Sequence, residues 1–116
     1  MSAAHDAFVV LVTAPGVDVA DGIATRVVEA RVAACVSVLP GVRSVYRWQG
    51  AIERADEVQL VIKTTRDSLD ALRAVVVAAH PFKVPEFLAL PVTDGLPAYL
   101  AWLVDETRRP STLSTP

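Results

Sequence analysis

At 116 residues and 12.4 kDa the chain is sized for one domain around one buried core. Hydrophobic residues make up 53% of it, which excludes a disordered chain. Eleven basic against 13 acidic residues give no basic stripe of a nucleic-acid binder, and no apolar run reaches the roughly 20 residues of a membrane span.

The start, Met1 to Asp6, is short and polar and lacks the basic-then-apolar pattern of a secretion signal. The lone Cys35 cannot form an internal disulfide, which fits a reducing compartment. A cytoplasmic location is therefore expected, with no membrane and no nucleic-acid partner.

Residues 1–7 read as a frayed start, and Phe8–Ala14 as a β-branched apolar strand broken by Pro15-Gly16. Asp18 is a candidate helix cap, and Val19, Ile23 and Val27 mark one apolar helical face running to about Ala33. Cys35–Leu39 reads as a second strand, interrupted at Pro40-Gly41 by a bulge or bend. The extended pattern resumes from Val42 to Trp48, with Ser44, Tyr46 and Trp48 on one face and Arg43, Val45 and Arg47 on the other. Gln49-Gly50 suits a hairpin turn, and the return strand carries Val58–Lys63. A second helix opens at Thr65 or Asp67 and ends at His80-Pro81. Phe87–Val92 is a further strand, and Pro97 fits the first turn of a last helix through Leu100, Leu103 and Val104.

The order is β-α-β-β-α-β plus a terminal helix, an α+β fold of the split-βαβ, ferredoxin-like type. Residues 1–109 are expected to form this single domain, and the Ser/Thr/Pro-rich stretch 110–116 a disordered tail. Two helices cover one face of such a sheet. Strands 8–12, 58–62 and 87–92 are nevertheless apolar on both faces, so something must cover the second face. Self-association is the simplest cover, and a homo-oligomer is expected on this ground.

The segment His80-Pro81-Phe82-Lys83-Val84-Pro85-Glu86-Phe87 is the clearest place for a polar site. Its two prolines keep it out of a helix interior. A neutral imidazole from His80 and the Glu86 carboxylate are suitable ligands for Cu(II) or Zn(II). The competing reading of His80 is a helix C-terminal residue that complements the dipole. Cys35, in an apolar strand, suits a small hydrophobe better than a third ligand. Arg43, Arg47 and Lys63, with Tyr46 and Trp48, form an alternative set that could hold a planar or anionic effector. Against it stands pairing of the arginines with Glu53, Asp56 or Glu57. No Gly-rich phosphate loop, G-x-S-x-G or HExxH is present, so no enzyme and no required cofactor are expected.

From Leu11 to Leu103 the residues resemble the CutA divalent-cation-tolerance family. The resemblance lies in the order of Thr13-Ala14-Pro15, Ala33-Ala34-Cys35-Val36, Pro40-Gly41, Ser44–Gly50, Lys63-Thr64-Thr65, His80-Pro81-Phe82, Val84-Pro85-Glu86, Leu90-Pro91-Val92 and Tyr99–Leu103. It implies a ferredoxin-like protomer in a compact homotrimer with the three sheets facing inward. It also implies a link to tolerance of copper and other divalent metals, with His80 and Glu86 as candidate ligands. The architecture is similar to the PII signalling trimers, which implies the alternative of an effector bound between subunits. Two positions depart from the pattern. Val12 stands where some members have a cysteine, and Ser37 where an asparagine is usual.

Overall fold

The computed structural model describes residues 6–109; the tail expected at 110–116 lies outside them. Strand β1 spans Ala7–Ala14, helix α1 Val17–Glu29, β2 Cys35–Trp48 and β3 Ala51–Thr65. A 3-10 turn at Arg66–Ser68 leads into α2, Leu69–Ala79. Strand β4, Leu88–Pro91, and helix α3, Pro97–Glu106, complete the chain. The four strands form one antiparallel sheet in the order β2-β3-β1-β4. This is the ferredoxin-like arrangement expected from the element order.

Period-two alternation sorts the strands into two faces. Val10 and Val12 of β1 lie on the first face with Val58, Leu60 and Ile62 of β3. Against them pack Ala20, Ile23 and Val27 of α1 and Leu72 and Val76 of α2, three or four residues apart on their helices. Ala7, on the opposite face of β1, packs with Ala34 and with Leu103 of α3. Helix α3 therefore covers one end of the second face and leaves the rest open.

Several boundaries differ from the sequence expectation: α2 opens at Leu69, after the 3-10 turn, rather than at Thr65 or Asp67, and β4 is shorter than Phe87–Val92. Helix α1 opens after Gly16 with no side-chain cap, and Asp18 sits inside its first turn, where its charge still complements the dipole. The helix ends at Glu29, before Ala33, because Arg31 turns left-handed (φ 59) and the amides of Val32 and Ala33 both donate to Val27 O. That reversal drops Val32 and Ala33 into the core. Strand β3 begins at Ala51, seven residues before Val58, and pairs with β2 along its whole length.

The β2–β3 hairpin has the two-residue turn expected at Gln49-Gly50, with φ of 49 and 84. Positive φ at both positions is the I′ geometry that matches strand twist. Gly41 (φ 81) sits in the bulge between Leu39 and Val42, where Pro40-Gly41 had suggested one. A Cβ at Gly50 meets no atom within 4 Å, so strain alone opposes it. Gly50→Ala is expected to cost about 1–2 kcal/mol, read as a lower midpoint in chemical unfolding with an unchanged slope.

Candidate functional site

The second sheet face carries most of the polar groups that the sequence suggested. By register, Val9, Leu11 and Thr13 of β1 share it with Lys63, Val61 and Gln59 of β3, Cys35, Ser37 and Leu39 of β2, and Leu90 and Leu88 of β4. Large apolar side chains remain open here: Leu39 is 45% exposed, Leu88 56% and Leu90 46%. Lys63 is the one charged residue among these strand positions.

Lys63 stands directly opposite Cys35. Its ammonium donates to Ser37 Oγ at 2.7 Å and approaches Cys35 Sγ at 3.9 Å. A fixed cation beside the sulfur opposes capture of a second cation there, which weakens Cys35 as a metal ligand. Tyr99 of α3 borders the same cluster. Partial burial, and then the neighbouring Cys35 thiol, push its phenol above the ordinary value.

His80 and Glu86 come to neighbouring positions along β1. His80 ends α2 and is buried; its Nε2 lies 2.7 Å from Thr13 O, and Phe82 N–H donates to Nδ1 at 3.0 Å. Glu86 accepts from Gln59 Nε2 at 3.5 Å, and the same amide donates to Val12 O at 2.9 Å. The structure thus ties His80 directly to Thr13 O and Glu86, through the Gln59 amide, to the adjacent Val12 O, but it engages both nitrogens of the imidazole. Gln59 was missed from sequence, although a lone amide inside the apolar run Val58–Lys63 was the available signal.

The alternative set is not assembled within one chain. Arg47 is opposite Ile52 near the hairpin tip and Cys35 is opposite Lys63, so eleven residues of β3, roughly 36 Å at about 3.3 Å each, separate them. Tyr46 (44% exposed) and Trp48 (53%) share the open face with Lys63, whereas Arg43 and Arg47 point to the other. Arg43 forms an ion pair with Asp56 at 3.7 Å, one of the pairings weighed from sequence. Both partners are largely exposed, so the pair adds little stability. They line an open groove of about 490 Å³ with Pro15, Gly16, Pro40 and Gly41.

The chain thus combines a ferredoxin-like sheet whose second, apolar face is largely uncovered, a long hairpin arm and a terminal helix across one end. Residues 8–106 match the family model described as CutA1 divalent ion tolerance protein. The chain belongs to this family. It is 46% identical over 99 residues to the divalent-cation tolerance protein CutA of Thermus thermophilus, covering 85% of this chain and 96% of that one. The crystal structure of CutA from Xylella fastidiosa superposes with a TM-score of 0.87 at 42% identity, covering 89% of this chain and 99% of that one.

These relatives overturn the expected cytoplasmic location. The Archaeoglobus fulgidus CutA, 32% identical with a TM-score of 0.85 over 88% of this chain and 99% of that one, is described as periplasmic. An Arabidopsis thaliana CutA, 42% identical over 86% of this chain, is described as chloroplastic, and the match spans 55% of its length. Family membership therefore carries no cytoplasmic address, and a single cysteine is compatible with either kind of compartment.

Proposed function

We propose that this chain serves tolerance of divalent metal ions, copper among them, as a homotrimer that binds the ion at sites completed between copies. The match over residues 8–106 carries the metal part of the reading. The open apolar face supports the assembly, because a bare face of this kind is an interaction surface. Among the described residues no three His, Cys, Asp or Glu side chains come close enough to hold an ion. A site therefore needs a neighbouring copy to add ligands. Of the pair expected from sequence, Glu86 is the better donor, since a carboxylate bonded to one amide keeps further lone pairs for a cation.

Calorimetric titration of the assembled protein with Cu(II) tests this, wild type against Glu86→Gln. The expected result is micromolar binding in the wild type, weakened about tenfold or more, roughly 1.4 kcal/mol, in the variant. Equal binding in both would remove Glu86 from the site. No binding in either would make the link to metals indirect.

A further inference from the structure

The metal that the family name implies does not fit the imidazole of His80. A carbonyl oxygen can only accept, so the 2.7 Å contact with Thr13 O requires the proton on His80 Nε2. A backbone N–H can only donate, so the 3.0 Å contact from Phe82 requires a lone pair on Nδ1. Both bonds are made together only by the neutral Nε2–H tautomer. In that state neither nitrogen presents a lone pair to an ion. A cation at Nε2 would displace the proton and strand Thr13 O, and one at Nδ1 would strand the Phe82 amide. The residue is 8% exposed, so water cannot readily take either partner.

The purpose of the two bonds follows from what comes after His80. Residues 81–87 belong to no helix or strand, and Pro81 and Pro85 supply no N–H. The segment runs as a strap from the end of α2 to β4, with Phe82 44% and Val84 72% exposed. It is pinned at its far end by Phe87, which packs on the core under the Arg73 guanidinium, and by Glu86 on Gln59. At its near end the pin is His80, which joins the last strand position of β1 before Ala14 to the second residue of the strap. Its ring also lies 4.9 Å from that of Phe82.

We infer that His80 is a positioning residue and not a metal ligand: its neutral imidazole staples the strap to β1, and so sets where Glu86 stands, while divalent cations are taken up without it. The staple goes beyond the metal-tolerance reading and does not depend on it; cation uptake without His80 rests on that reading.

The test is the ring-nitrogen spectrum of His80 in ¹⁵N-labelled wild-type protein, with and without saturating Zn(II) as a diamagnetic probe. The expected result is the neutral Nε2–H pattern in both, with neither nitrogen shifted by zinc. His80→Ala is expected to lose protection of the Phe82 amide against hydrogen exchange. A shift of either His80 nitrogen on zinc binding, or an Nδ1–H tautomer in the metal-free protein, would overturn the inference. The wild-type spectra stand even if the variant does not fold. Failure to bind zinc at all would sink the metal reading of Glu86 but leave the staple supported by the tautomer.

Discussion

Leu11→Asp is expected to turn the proposed oligomer into a monomer that remains folded. Leu11 sits mid-face on β1, between Val61 of β3 and Leu88 of β4. Within one chain its side chain is only partly buried, so a carboxylate there stays in contact with water. The fold loses the contacts of one partly covered side chain and little more. Covered by a second copy, the same carboxylate would be dry and unpaired. Among the described residues Lys63 is the nearby cation on this face; it lies one diagonal away, with its ammonium already given to Ser37 on the opposite side. Burying an unpaired ion costs several kcal/mol even after relaxation. At about 1.4 kcal/mol per tenfold, association weakens by orders of magnitude. Sedimentation velocity against the wild type reads the outcome, with circular dichroism to check the fold. A variant that sediments as the wild type does would place the interface elsewhere and leave the open face without its proposed cover.

The second large effect is on the core. Leu60→Ala is expected to destabilise the protein by about 2–5 kcal/mol. Leu60 is fully buried at the centre of β3, flanked in register by Val12 and Val38 and capped by the apolar stripes of α1 and α2. Both neighbouring strands are held in ladders, so the space left by the lost methyls cannot close easily. Guanidinium unfolding measures it, at one fixed protomer concentration because association adds to apparent stability. A loss below about 1 kcal/mol would mean that the helices settle into the vacated space. Together the two substitutions separate the faces of one sheet: one changes assembly with little change in folding, the other the reverse.

Most of the fold was legible because its signals are local. The β-branched apolar runs Phe8–Ala14 and Val58–Lys63, the four-residue spacing of Ile23 and Val27, Pro97 at a helix start and Pro40-Gly41 in a strand each report a backbone preference within a few residues. The early half of β3 was not legible. Ala51-Ile52-Glu53-Arg54-Ala55-Asp56-Glu57 pairs with β2 alone and has no buried face to impose a pattern, so its side chains say nothing about the strand they form. The end of α1 was misjudged because the apolar residues Val32 and Ala33 continue the helical stripe in composition while the chain has already reversed at Arg31. The candidate site was named as a segment, and its geometry was not legible. That His80 and Glu86 matter to the end of β1 depends on Thr13 and on Gln59, and the histidine's acceptor lies 67 positions away in sequence. Nothing in the strap's own residues shows that both ring nitrogens are already engaged.

The bulge at Pro40-Gly41 divides the hairpin into two thermodynamic regimes. Below it, β2 and β3 are part of a four-stranded sheet and inherit the cooperativity of the core. Above it, Val42–Trp48 and Ala51–Glu57 form a two-stranded ribbon with no layer beneath, and such a ribbon is marginal in water by itself. In an isolated protomer only continuity with the sheet supports its order. A neighbouring copy that received Tyr46 and Trp48 would supply what the ribbon lacks. Folding of the arm and assembly of the protein would then be a single event with a concentration dependence, in which the last element to become rigid is also the first to sense that a partner has arrived.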